Sequence, residues 1–318
     1  MKLRNVLKGA ALAGFSVIAT SANAGISSTA YLELNDLFVQ VDTSGNFEPD
    51  NVSPLDFIRI IGGSRGTKAF SNYNGVTDSS EVSSNNATAD SNAELVCTGP
   101  SCGVLGLTDN GQSVANGNLV ASDAFHFSAS DAAVTGNALG NGASGFTYAE
   151  ASIASGNSES GAASSGIAND ITTIITLDVL NSINLRFSGL VDYFVDAFIS
   201  SDLALDDTQA AVASSKVSLE LSFLNLSTGQ TVDIDGVDGF QRSDIAIDSP
   251  GLNDLFSFSG QGEEFLSGWA TVDAGMYQLN ITQTSEVQAS LVPAPTSLAI
   301  AAFGLLGLGL TARRKQSK

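Results

Sequence analysis

Residues 171–199, ITTIITLDVLNSINLRFSGLVDYFVDAFI, decide the fold. Leu185 and Phe187 alternate with Asn184 and Arg186, and Tyr193, Val195, Ala197 and Ile199 alternate with Phe194, Asp196 and Phe198. A period of two is the pattern of a strand with one face turned to a core, and Gly189 marks an expected kink. Downstream, Val217, Leu219, Leu221 and Phe223 repeat the alternation. Ser227-Thr228-Gly229-Gln230 then turns the chain into residues 231–234 as a hairpin. Further strands fit 255–259, 269–273 and 277–281, and Val287, Ala289 and Leu291 finish the domain.

Upstream, Ala30, Leu32 and Leu34 followed by Leu37, Val39 and Val41 fit two short strands or one bulged strand. An apolar burst at Phe57, Ile58, Ile60 and Ile61 ends at Gly62-Gly63. The following GGSRGTK (62–68) lacks the spacing of a phosphate loop and reads as a surface turn. From Ala69 to Leu185 there is no Lys or Arg, while eleven acids occur, and Ser, Ala, Asn and Gly dominate. Such a stretch buries little apolar area for the entropy it costs to order, so about 69–170 is expected to be either loop or strands with small, flat faces.

Many strands, Gly/Asn/Asp/Ser turns and hardly any helical periodicity predict an all-β fold. The expected form is an antiparallel β-sandwich of jelly-roll-like type with Ser/Ala/Gly/Asn-rich loops. A parallel β-solenoid is the alternative that the small-residue middle raises, but no fixed-period repeat is present.

Chemistry-bearing motifs are sparse. His126 is the one histidine, and no G-x-S-x-G elbow accompanies it. With 33 acids, paired carboxylates for glycoside hydrolysis are available. The aromatic platforms that such sites need are few, with one Trp and five Tyr, so no enzyme activity is expected. Cys97 and Cys102, in CTGPSC, flank a Gly-Pro turn and are expected to close a small disulfide loop. Asp233, Asp235 and Asp238, in DIDGVDG, put three carboxylates in six residues. They fit either a Ca²⁺ loop or a plain acidic turn, and no other cofactor is expected.

The two ends differ from the rest. Lys2, Arg4 and Lys8 precede an apolar run from Gly9 to Ala19, and Ala22-Asn23-Ala24 follows as an A-x-A cleavage site, so 1–24 is expected to be a signal peptide read by the secretion machinery. At the other end Val292, Pro293, Ala294 and Pro295 lead into a sixteen-residue apolar run, 297–312, which stops at Arg313, Arg314 and Lys315. A bilayer core needs roughly 17–25 apolar residues as a helix, so this is a short membrane helix with a cationic stop. The ectodomain is then 25–291, outside the cytoplasm.

This arrangement of proline motif, short helix and basic tail resembles the PEP-CTERM sorting signal of Gram-negative exported proteins. The resemblance covers 292–318, with Ala294 standing where the family has a Glu. It implies processing by an exosortase-type membrane protease, a precursor anchored in the inner membrane, and a mature protein at the cell surface or outside it. It also implies a link to exopolysaccharide and biofilm. A carbohydrate-binding sandwich is a second reading, with Trp269 and Tyr277 as its first candidate platform.

Charge narrows the partners. Three bases lie before Gly25 and four after Pro295, which leaves six bases against 33 acids and a formal charge of −27 between them. Such a surface repels phosphate backbones, so nucleic acid is not an expected partner.

Overall fold

The computed structural model describes residues 25–112, 125–154, 160–166, 173–200, 203, 209–234, 240–248 and 255–293. Ala22, Ala24, Asp235, Asp238, Ala294, Pro295, Arg313, Arg314 and Lys315 lie outside the described residues. Among the described residues no helix is long and apolar enough to cross a membrane.

Among the described residues, fifteen strands, all paired antiparallel, form two sheets. They are β1 (Gly25–Asp42), β2 (Ile58–Tyr73), β3 (Val76–Ser84), β4 (Ser91–Thr98), β5 (Phe127–Asn137), β6 (Gly142–Ala154), β7 (Ser160–Gly166), β8 (Thr173–Val179), β9 (Ile183–Ile199), β10 (Gln209–Asn225), β11 (Gln230–Thr231), β12 (Phe240–Asp248), β13 (Leu255–Leu266), β14 (Ala270–Val272) and β15 (Gly275–Pro293). One sheet runs β13-β9-β1-β6-β5-β4, with β14 also on β9. The other runs β11-β10-β15-β7-β2-β3, with β12 on β10 and β8 between β15 and β2. The sheets face each other, β9 and β1 over β10 and β15, β6 and β5 over β7, and β5 and β4 over β2. This is a β-sandwich, and the antiparallel pairing rules out the parallel solenoid.

β9 carries the pattern that its sequence predicts. Ile183, Leu185, Phe187, Val191, Tyr193, Val195, Ala197 and Ile199 are all buried toward the opposite sheet. The strand passes through Gly189 without a break, and the irregularity lies next door in β1, whose register shifts between Leu34 and Leu37. β1 is therefore one bulged strand.

The described residues of the Ser/Ala/Gly-rich part, 69–170, are largely strand rather than loop, and small residues let the two sheets come close. Hydroxyls and amides of one sheet reach backbone carbonyls of the other. Ser28 Oγ donates to Gln288 O at 2.7 Å, Ser130 Oγ to Phe70 O at 2.8 Å and Gln283 Nε2 to Leu32 O at 2.8 Å. Large side chains would hold the layers farther apart and leave these groups unpaired. Toward β9 and β10 the interior changes to Leu185, Phe187, Leu219, Leu221 and Phe223.

Two boundaries differ from the sequence reading. Residues 62–68 are the middle of β2 and not a surface turn, and Arg65 inside them is 1% exposed. β15 continues through Pro293, paired with Gln209, because a proline at a strand's last residue gives up only a terminal hydrogen bond.

Candidate functional site

Three places on the sandwich gather polar chemistry. The first lies on the outer face of β1, β6 and β5, which alternation alone would assign to solvent. Thr29 and Tyr31 of β1, Tyr148 and Glu150 of β6, and Phe127, Ala129 and Asp131 of β5 are all fully buried there. What covers them includes residues of β4, the described chain that follows it up to 112, and Phe125. Leu95, Cys97, Cys102, Leu105, Leu107 and Phe125 pack on Tyr31, Phe127, Ala129 and Tyr148. The Cys97–Cys102 disulfide, with Cα atoms 5.8 Å apart, fixes the start of this cover. At its root Gly99 has φ +117°, and a Cβ there would meet His126 O at 2.6 Å, so only glycine fits.

Under the cover sits a repeated unit, Tyr-x-Glu. The Tyr31 hydroxyl donates to the Glu33 carboxylate and the Tyr148 hydroxyl to Glu150. Tyr31 and Tyr148 are register partners, so the two units lie antiparallel, side by side. Burial, with the Glu150 charge beside it, pushes the Tyr148 hydroxyl well above the usual phenol range. Neighbouring Asp131 holds the cover down by accepting from the Asn110 backbone N–H at 2.6 Å. Asp109 pins the cover's other side, accepting from Leu95 N and Asn92 Nδ2, both at 2.9 Å.

Burial pushes the Asp131 carboxyl up to about 7, the Asn110 N–H opposes this, and the Asp109 charge adds to it. A carboxyl raised in the fold takes up a proton that the unfolded chain lacks, so stability falls as pH rises from about 4 to about 7 and then levels off. Melting temperature measured across that window is expected to fall, and the fall is expected to be smaller in Asp131→Asn. An identical slope in the variant would contradict this assignment.

Asp42, at the end of β1, has the opposite sign. Burial pushes it up, but hydrogen bonds from Asn184, Ser44, Phe47 and Gly45 outweigh this and hold it well below the usual carboxylate range. Its contribution is present above about pH 4 and is lost below that. All of these donors belong to the protein, so Asp42 organises the loop after β1 and offers nothing to a ligand.

The second place is a groove of about 370 Å³ between the outer faces of β10 and β15 and residues 231–234. Glu220, Ser222, Asn280, Thr231 and Asp233 line it. The Asn280 amide is held between two side chains: its Oδ1 accepts from Gln278 at 2.7 Å and its Nδ2 donates to Ser222 at 3.0 Å. Asp233 is exposed at its rim. Among the described residues no three His, Cys, Asp or Glu side chains are grouped to hold a metal ion.

The third place is Trp269, which is half-buried with the Arg186 guanidinium 4.6 Å above its ring. Arg186 is oriented in turn by Gln40 at 2.7 Å. Tyr277 does not join it as a sugar platform. It is 2% exposed, stacked on Phe223 at 4.9 Å, and its hydroxyl is used by Asp273 O at 3.0 Å. His126 accepts or donates at Nδ1 to the Tyr73 hydroxyl, 3.0 Å away.

The Tyr/Glu/Asp face escapes a reading by alternation because that reading assigns one buried face per strand. The signal available was Tyr-x-Glu occurring twice, at Tyr31 and Tyr148, both in strands rich in small residues. In comparisons with protein-family models, with curated proteins and with solved structures, nothing matches this chain.

Proposed function

We propose that the chain is an exported, non-enzymatic protein of the cell surface or extracellular matrix, sorted through a PEP-CTERM-type tail and working alongside exopolysaccharide. The observation that carries this reading is the disulfide between Cys97 and Cys102, which clamps the cover over the buried Tyr/Glu face. Disulfides persist in oxidising compartments outside the cytoplasm. The A-x-A site at Ala22 and Ala24 and the tail at 292–318 support the same compartment, and a formal charge of −27 between them favours a soluble, mutually repelling ectodomain. Its connectivity is read as a jelly-roll variant, because the chain passes repeatedly between the sheets, as from β1 to β2 and from β9 to β10.

A second reading, recognition of a polysaccharide, is favoured by the groove. Its hydroxyls, its Asn280 amide and its two carboxylates match the alternating donors and acceptors of a sugar better than they match an apolar ligand. One assay serves both readings: sedimentation of the exported protein with the polysaccharide secreted by cells that hold an exosortase. The protein is expected to sediment with that polysaccharide and to stay soluble without it, and a reduced, cytoplasmic protein would overturn the proposal. Glu220→Gln combined with Asn280→Ala is expected to weaken retention by about tenfold, the effect of losing one or two hydrogen bonds. Unchanged retention would exclude the groove and leave the matrix role standing.

A further inference from the structure

Inside the sandwich, beside Thr173 at the first residue of β8 and between β2 and β15, lies a small cavity. Leu34, Leu37 and Val134 wall it on the side of the first sheet. Arg65, Thr173 and Gln283 wall it on the other, and all three are at most 1% exposed. The interior faces of β2, β8 and β15 bring them together, since Ser64 pairs with Ile174 and Thr173 with Ile281.

Each of the three carries one buried atom without a hydrogen-bond partner: Arg65 Nε, Thr173 Oγ1 and Gln283 Oε1. Arg65 Nη1 and Gln283 Nε2 are committed elsewhere. Arg65 Nη1 donates to Gly136 O at 2.8 Å and to Ala89 O at 3.2 Å. Gln283 Nε2 donates to Leu32 O at 2.8 Å and to Thr147 Oγ1 at 3.3 Å. A backbone carbonyl only accepts, so the Gln283 amide cannot turn over, and the unpartnered atom of this lining residue is its oxygen, Oε1.

An occupant of this cavity must accept from the Arg65 Nε–H and donate to Gln283 Oε1 at once. A bare anion cannot donate and a bare cation cannot accept. Thr173 can do either. The accessible space, about 10 Å³, is of the order that one water needs. We propose that the cavity is a binding site for a single water molecule, which bridges Arg65, Thr173 and Gln283 and so joins β2, β8 and β15. Leaving three such groups unpaired in a dry interior would cost far more than immobilising one water.

The test is a water cross-peak at the Arg65 Nε–H in rotating-frame exchange spectra of the ¹⁵N-arginine-labelled protein, together with crystals soaked in bromide. A cross-peak that persists in Thr173→Val, which removes the hydroxyl as a rival source, and is lost in Gln283→Met is the expected result. Oxygen-sized density within hydrogen-bond reach of all three residues, with no anomalous bromide peak, is expected from the crystals. A bromide peak in the cavity would overturn the proposal in favour of an anion. Absence of both cross-peak and density in the wild-type protein would overturn it in favour of a dry cavity.

Discussion

Gly63→Ala is expected to be among the most damaging single substitutions in the chain, whereas Gly62→Ala beside it is expected to be nearly silent. Gly63 has φ +144°, and a Cβ on it would stand 2.0 Å from Ile174 O and 2.7 Å from the Ala87 Cβ. Ile174 O is backbone in the neighbouring strand, so relief requires β2 and β8 to part next to the register shift between Ile60 and Gly62. Forced strain of this kind costs roughly 3–5 kcal/mol, a large share of what holds a domain folded. The same Cβ on Gly62 meets nothing within 4 Å. Thermal melts of the two variants decide the matter: Gly63→Ala should melt about 10 °C lower or fail to fold, and equal melting temperatures would contradict the strand geometry.

The second large effect concerns the tail and rests on the proposed function. Arg313, Arg314 and Lys315 follow an apolar run of sixteen residues, a marginal span for a bilayer. Each basic residue costs about 3 kcal/mol at the centre of a membrane helix, so three together stop transfer of a segment that the apolar run alone would hold weakly. Replacing all three with Ser is expected to shift full-length protein from the membrane fraction to the periplasm, with no change in the melting curve of the ectodomain. An unchanged membrane fraction would show that the basic cluster does not stop transfer.

Strands with large alternating side chains were legible in the sequence. In β9 and β15 the apolar residues on one face are bulky, and burial followed the alternation. The Ser/Ala/Gly part was legible only as a choice between loop and flat strand. What decided it was the approach of the opposite sheet, a long-range fact that no local window holds. Arg65 looked like a turn residue because glycines precede it and a charge is rarely buried. Backbone carbonyls from Ala89 and Gly136 make its position tolerable, and both are distant in sequence. Tyr277 looked like a platform because aromatic residues serve both cores and binding faces, and the Phe223 ring that claims it lies on another strand. The Tyr-x-Glu pair was hidden because a third layer, the disulfide-fixed cover, buries a face that two-layer logic leaves to water.

The central claim is that the chain is exported and processed at both ends, and the intact mass of the protein recovered from cells holding an exosortase tests it most directly. The account predicts a mature polypeptide beginning at Gly25, ending near Pro293 and two mass units lighter than its reduced form, which is the loss of two hydrogens at Cys97 and Cys102. A mass that includes Met1 or runs to Lys318 in those cells would contradict it.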